Sequence, residues 1–342
     1  MIIQLSKEIS SAERHAIEMT LEDLHLKPME IKTQTNHYLV VVLNKEVDLR
    51  TIGKMQGITD VHRVTDAYKL VSRKWKVNPT EIDLGDGVII GERDFTMMAG
   101  PCSIESESQI ERIVQHLVKS NVKIMRGGVY KPRSSPYAFR GLGIEGLRLF
   151  HQTCQANGIK IISEVMQVSQ IEAMRDYVDI FQVGARNTQN FNLLDALGAV
   201  DKPVLIKRGI SGSIDELLQS AEYVFSAGNE RIMLCERGIR TFEGAYRNTF
   251  DINAIPILKE KSHLPVIADP SHGIGIRRHV EKITLAALIA GADGAIVEIH
   301  YEPEKAFSDG SQTLNFEEFD DLVQKIRKLR AIYSQDSQKI DG

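Results

Sequence analysis

Six basic side chains, Arg126, Lys131, Arg133, Arg186, Lys207 and Arg237, stand at or just past the ends of short apolar runs in a chain whose formal net charge is −4. Like charges brought to one place repel unless anions join them. The planar fork of Arg suits carboxylate and phosphate oxygens, and Lys adds a point charge. Each charge-assisted hydrogen bond contributes about 1.5–3 kcal/mol, so six of them imply more than one anionic group. Two phosphorylated molecules fit, as do a phosphate-plus-carboxylate and a sugar phosphate. The densest cluster is "MRGGVYKPRSSPYAFRG", residues 125–141. There Gly127 and Gly128 let the backbone turn, Pro132 stiffens the loop, and Ser134 and Ser135 offer hydroxyls to phosphate oxygens.

A second set has the chemistry of metal ligands. Cys102 in "AGPCS", His272 in "DPSHGIG", Glu298 in "VEIHYEP" and Asp309 in "AFSDGSQ" supply one thiolate, one imidazole and two carboxylates. That mixture suits a divalent transition metal such as Mn, Fe, Co or Zn. No CxxC or HxxxH pair joins two of the four, so only the fold can bring them together. Cys154, in a helical stretch, and Cys235, in mid-run, read as core. His300 shares strand parity with Glu298 and reads either as a support for the site or as packing.

The elements that must position these residues follow from the hydrophobic rhythm. From Phe95 onward the runs "FTMMAGP", "VKIMRGG", "IKIISEV", "VDIFQVGA", "PVLIKRG", "RIMLCERG", "PVIADPS" and "GAIVEIH" each precede an amphipathic helical stretch. Eight such units in about 240 residues predict a (β/α)8 barrel. An open doubly wound sheet is the rival, but it rarely reaches eight parallel strands at such regular spacing. Each run begins apolar and ends polar, at Arg126, Glu164, Gln182 then Arg186, Lys207, Glu236 with Arg237, Asp269 then His272, and Glu298. Strand C-termini share one face of such a barrel, so the gradient predicts a single polar bowl. Ile124 and Arg126, Leu205 and Lys207, and Ile296 and Glu298 share a side under strand period two.

Ahead of the barrel, "IIQL", an amphipathic stretch, "MEIKTQ", "HYLVVVL", "VDLRTIGKM" and "ITDVHRV" read βαββαβ, a ferredoxin-like plan. The expected division is 1–66 for this unit, 67–81 for a polar linker, 82–335 for the barrel with an N-terminal β-hairpin closing its bottom, and 336–342 for a polar tail. With 42 Lys and Arg against 46 Asp and Glu, the chain lacks the basic excess of a nucleic-acid binder. No run approaches 18 uninterrupted apolar residues, and the N-terminal stretch lacks signal-peptide character. A cytoplasmic protein with no membrane partner is expected. Three scattered cysteines exclude a disulfide framework.

The segments "AGPCS", "RGGVYKPRSSP", "QVGARNTQN", "KRG", "CERGIRTFE", "DPSHGIG" and "VEIHYEPEKAFSDGSQ" resemble, in order over residues 95 to about 330, the signature segments of 3-deoxy-D-arabino-heptulosonate 7-phosphate (DAHP) synthases of the short type I-beta form. Several members carry an N-terminal ferredoxin-like (ACT-like) domain. The resemblance implies phosphoenolpyruvate on Arg126, Lys131, Arg186, Lys207 and Arg237 with backbone help from Gly184 and Ala185. It implies erythrose 4-phosphate at Lys131, Pro132, Arg133 and Ser134, and one divalent metal on Cys102, His272, Glu298 and Asp309. Lys131 is then a proton donor and Glu164 a positioner of water. A homotetramer inhibited by tyrosine or phenylalanine at the N-terminal domain is also implied. The cousin 3-deoxy-D-manno-octulosonate 8-phosphate synthase, which uses arabinose 5-phosphate, has an Ala-Asn insertion where this chain reads "KPRSS". From other classes, a Schiff-base aldolase would use Lys207, and a non-catalytic phosphometabolite sensor would keep the arginines without needing the metal donors.

Overall fold

Residues 2–62 alternate strand and helix as β1 (Ile2–Leu5), α1 (Ser11–Asp23), β2 (Pro28–Lys32), β3 (His37–Val41), α2 (Leu49–Gly53) and β4 (Ile58–His62). The computed structural model describes residues 1–43, 45–131 and 137–340, with side chains to residue 333. The strands pair antiparallel in the order β2-β3-β1-β4. A capping box between Ser10 and Glu13 satisfies two N–H groups at the start of α1. Strand period two then splits the sheet into two apolar faces. Ile3, Leu5, Leu39 and Val41 meet Ile17, Leu21 and Ile52 of the helices. Ile2, Ile31, Tyr38 and Val40 on the opposite face join a core that includes Trp75 and Phe225. The sheet therefore lies between its own helices and the larger unit.

The segment read as a polar linker is fastened down. Tyr68, Leu70, Val71 and Trp75 are buried. Trp75 Nε1 donates to the Leu70 carbonyl at 2.8 Å, and the Glu222 carboxylate accepts the Leu70 and Val71 N–H groups at 2.9 and 3.1 Å. Asn36 Nδ2 donates to both oxygens of Glu230 at 3.2 and 3.1 Å, a further tie between the two units.

A short hairpin, β5 (Ile82–Asp83) and β6 (Ile89–Ile90), introduces the barrel. Eight parallel strands follow: β7 (Thr96–Gly100), β8 (Ile124–Arg126), β9 (Lys160–Val165), β10 (Ile180–Val183), β11 (Val204–Lys207), β12 (Ile232–Glu236), β13 (Val266–Ala268) and β14 (Gly294–Glu298). They close in sequence order, with β14 pairing back onto β7. Between them run α3 (Glu107–Lys119), α4 (Gly143–Ala156), α5 (Val168–Met174), α6 (Phe191–Gly198), α7 (Ile214–Ser226), α8 (Ala254–Lys261), α9 (Pro270–Ile274) and α10 (Arg277–Ile289). The last helix, α11 (Phe316–Ile340), runs through most of the segment expected as a tail.

The interior of the barrel is a layer of Met98, Ile124, Ile162, Ile180, Leu205, Met233, Cys235, Ile267 and Ile296, and Ile82, Val88 and Ile90 of the hairpin join it. The hairpin thus plugs the end from which the strands start. Among the described residues no helix is long and apolar enough to cross a membrane.

His263 is buried where linker and barrel meet, its Nε2 on the Leu70 carbonyl at 2.8 Å and its Nδ1 on Thr80 Oγ1 at 2.7 Å. Burial first, then the charges of Lys76 and Arg73, push its pKa down to about 3. The unfolded chain therefore takes up a proton near the ordinary histidine value of about 6.5 that the folded chain refuses. Stability from this group is complete above that value and is lost as pH falls toward 3, by about 1.4 kcal/mol per unit while the gap is open. Denaturant titrations between pH 8 and 4 should show His263→Asn less stable than the parent at pH 8, with a shallower decline toward acid.

Candidate active site

Seven of the eight strands place a polar group two residues beyond their interior apolar one, all but β7, where Gly100 follows Met98: Arg126 after Ile124, Glu164 after Ile162, Gln182 after Ile180, Lys207 after Leu205, Arg237 after Cys235, Asp269 after Ile267 and Glu298 after Ile296. A side chain that points inward at the plug layer is followed two positions on by one pointing inward at the rim. The result is a cavity of about 200 Å³ whose wall includes Arg126, Lys131, Glu164, Gln182, Gly184, Ala185, Arg186, Lys207, Arg237, His272 and Asp309. Eleven of the residues singled out from the sequence are thus gathered in one place. Pro132, Arg133 and Ser134, with Ser135, lie outside the described residues.

The charged groups fall into two sectors. Arg126 Nη1 donates to the Pro101 carbonyl at 2.8 Å and to Glu298 Oε1 at 3.0 Å. Lys207 is ion-paired with Asp269. Among the described residues Arg186 and Arg237 make no ion pair; burial pushes the Arg237 guanidinium below its ordinary pKa. The cavity wall therefore carries cations that no carboxylate of the described residues pairs with directly, and such a wall binds anions. Gly184 lies close against Glu164: a Cβ there would stand 2.0 Å from Glu164 Oε1 and displace that carboxylate.

Opposite these cations, Cys102 Sγ and carboxylate oxygens of Glu298 and Asp309 all lie within 4.8 Å of one another. Cys102 Sγ is 3.4 Å from Asp309 Oδ2. His272 completes the group, with Nε2 at 3.4 Å from Glu298 Oε1 and 3.7 Å from Asp309 Oδ2. Its Nδ1 faces Asp269 Oδ2 at 2.8 Å, which holds Nδ1–H in place and leaves Nε2 as the free donor. Lys131 Nζ bridges the two sectors, 2.9 Å from the Cys102 carbonyl and 3.2 Å from its Sγ. The Glu105 carboxylate joins the loops that carry Cys102 and Asp309, accepting from Ser103 Oγ and from the Phe307 N–H, both at 2.9 Å.

Protonation states test whether this set fits a metal. Burial, reinforced by Glu298, pushes the Cys102 thiol up to about 12. Asp309 goes the other way, to about 2: burial opposes ionisation, but Arg247 and His272 outweigh it. Burial also opposes ionisation of Asp269, and His272 and Lys207 hold it well below the usual carboxylate range. The thiol keeps its proton chiefly because it is buried, and Glu298 and Asp309 add to that against the opposing charges of Lys131 and Arg126. A divalent cation outweighs both effects and deprotonates the thiol, so the donors fit a transition metal.

Sequence reasoning missed part of the site. Arg240, Arg247 and Asn248 also line the cavity; they come from the irregular stretch after β12, where no periodicity fixes direction. Glu236, read as a bowl residue, is fully buried behind the rim, its Oε2 accepting from Arg208 Nη1 at 2.8 Å. Its neighbour Arg237 has the inward parity. His300 touches none of the four donors; its Nδ1 accepts the Glu302 N–H at 2.9 Å and its ring stacks on Tyr301.

The chain is similar to known proteins in both sequence and fold. The model of the DAHP synthetase I family matches residues 74–334. A Thermotoga maritima protein named phospho-2-dehydro-3-deoxyheptonate aldolase is 50% identical over 272 residues, 80% of each chain. A 2-dehydro-3-deoxyphosphooctonate aldolase of Geobacter sulfurreducens is 31% identical over 271 residues, 74% of this chain and 98% of that one. The crystal structure of the T. maritima DAHP synthase has a TM-score of 0.78 at 43% identity, covering 97% of both chains. A truncated form of that synthase has a TM-score of 0.73 at 46% identity, over 78% of this chain and 97% of its own.

Asp269 touches both sectors, through Lys207 and through His272. Replacing it by Asn removes the charge while keeping the shape. Calorimetric titration of chelator-treated Asp269→Asn with Mn²⁺ should give an affinity about 10–100-fold below the parent, with an unchanged circular-dichroism spectrum.

Proposed function

The chain belongs to the DAHP synthetase I family, and from that premise we propose how its residues carry out the family's reaction. It is a transferase that condenses phosphoenolpyruvate with erythrose 4-phosphate and water, giving DAHP and inorganic phosphate, the first step toward the aromatic amino acids. The arabinose 5-phosphate reaction corresponds only to distant relatives. The observation that carries the assignment of roles is the convergence of Arg126, Lys131, Arg186, Lys207 and Arg237 on one cavity that also contains His272 and Asp309.

Phosphoenolpyruvate brings a carboxylate and a phosphate, and those five cations match them, with Arg186 and Arg237 making no ion pair among the described residues. Gly184 and Ala185 add backbone contacts beside the bound molecule. Erythrose 4-phosphate enters over it, its phosphate on Arg133 and Ser134 and its chain guided by Pro132. Cys102, His272, Glu298 and Asp309 hold one divalent metal, of which Mn, Fe, Co and Zn all suit the donors. When bound, the metal supplies Lewis-acid polarisation of the aldehyde oxygen.

C3 of phosphoenolpyruvate then bonds to the aldehyde carbon, and Lys131 Nζ, poised between the two sectors, gives a proton to the new hydroxyl. Positive charge develops at C2. Glu164 orients the water that adds there and accepts its proton, and phosphate leaves by C–O cleavage. Arg126, Lys207 and Arg237 hold the departing phosphate.

By family likeness we assign the βαββαβ unit to the ferredoxin-like class, with tyrosine or phenylalanine as its inhibitory ligand, in a cytoplasmic homotetramer. Removing residues 1–70 should abolish inhibition by both amino acids. The reaction itself is checked by the loss of phosphoenolpyruvate ultraviolet absorbance in chelator-treated protein given back Mn²⁺. Loss is expected with erythrose 4-phosphate and not with arabinose 5-phosphate. Arg186→Ala should raise KM for phosphoenolpyruvate about tenfold or more, the equivalent of one charge-assisted bond. Cys102→Ser should weaken Mn²⁺ binding and turnover together.

A further inference from the structure

Each carboxylate of the metal-donor set has one of its two oxygens engaged away from the other donors. Asp309 turns Oδ2 toward Cys102 Sγ and His272 Nε2, while Oδ1 is 3.3 Å from Arg247 Nη1. Glu298 turns Oε1 toward His272 Nε2, where it also accepts from Arg126 Nη1 at 3.0 Å, while Oε2 accepts from Gln312 Nε2 at 2.6 Å. These two outer contacts are themselves linked, because Arg247 Nη1 donates to Gln312 Oε1 at 2.6 Å. Asp309, Arg247, Gln312 and Glu298 thus form one connected chain of polar contacts behind the donors.

The Gln312 end of this chain of contacts is buried, and its Arg247 end, whose side chain is 40% exposed, is anchored through the backbone. Gln312 is 1% exposed, and both ends of its amide are in use, which fixes which end is oxygen and which is nitrogen. The segment bearing Arg247 is tied to α9, the helix of His272: the Arg247 N–H donates to the Ile274 carbonyl at 3.2 Å, and Asn248 Nδ2 donates to the His272 carbonyl at 2.8 Å. Gly275 makes the approach possible, since a Cβ there would lie 2.3 Å from Arg247 Cβ, and its φ of +70° is one that other residues resist. Asp309 itself sits at φ 52°, so its side chain leaves the loop in a direction set by an uncommon backbone state.

We infer that Arg247 and Gln312 are positioning residues that restrict Asp309 and Glu298 to one oxygen each, so that the site offers four single-atom donors and favours a low coordination number. This rests on the metal reading proposed above. A carboxylate oxygen turned away from the other donors and held by a guanidinium or an amide is a poorer second ligand, so each carboxylate is biased toward binding through its inward oxygen. Without the restraint, either carboxylate can bind through two oxygens, and coordination shifts toward the higher numbers that oxygen-rich sites give to hard cations.

The test uses the full-length protein, stripped with chelator and loaded with Co²⁺, whose visible absorption weakens as coordination number rises and whose thiolate band reports Cys102. Gln312→Met and Arg247→Met should each retain the thiolate band, lower the intensity of the ligand-field bands, and reduce Co²⁺ affinity about 10–100-fold. Thermal unfolding of the metal-free variants shows whether the fold survives; where one variant does not fold, the other decides. A Co²⁺ spectrum and affinity equal to those of the parent in a folded variant would overturn the inference while leaving the metal reading intact. A parent protein with no thiolate band would overturn both.

Discussion

Closure of eight parallel strands into a barrel is the constraint on which the rest depends. Once β14 pairs with β7, every strand has one side facing the axis, and strand parity becomes a rule about depth. Ile124, Leu205 and Ile296 fill the interior, and the residues two places on, Arg126, Lys207 and Glu298, arrive together at the rim. No local motif could bring Cys102, His272, Glu298 and Asp309 into one group; they are distributed over more than 200 residues. The apolar layer does this work, because moving any strand by one residue would turn its inward apolar and charged residues together toward the surrounding helices.

The same parity explains why the site was largely legible in the sequence. An apolar residue followed two positions later by a charged one, repeated down the chain, needs only the assumption of closure to become a bowl. It failed at Glu236, where two adjacent charged residues compete and only Arg237 has the inward parity. It could say nothing about Arg240, Arg247 or Asn248, because the stretch after β12 is irregular and the direction of its side chains is set by hydrogen bonds to α9. Gln312 was invisible for a related reason: an uncharged amide in a loop has no sequence signature, and its importance comes from two partners far away in the chain. The polar linker was misjudged in character. Leu70, Val71 and Trp75 stand among charged neighbours, yet they are the residues that pack, and the charges remain outside.

Charge is handled differently in the two sectors of the cavity. Around the donor set, each carboxylate already has protein partners: Arg126 and Gln312 on Glu298, Arg247 on Asp309, Lys207 and His272 on Asp269. Around Arg186 and Arg237 no ion pair is made among the described residues, so the deficit of negative charge is left for substrate. A fully neutralised pocket would be more stable when empty and would bind anions less well. The buried cluster of Arg208 with Glu236 and Asp251 behind the rim shows the other arrangement, in which a guanidinium is satisfied entirely by the protein.

The hairpin formed by β5 and β6 has a consequence for traffic. With Ile82, Val88 and Ile90 packed on the interior layer, the barrel is closed at that end among the described residues and opens at the loops that follow the strands. Whatever lodges deepest must arrive first and depart last, and any molecule resting nearer the threshold bars its exit. The timetable of arrivals and departures is therefore imposed by two short strands at the far end of the molecule, which touch neither substrate.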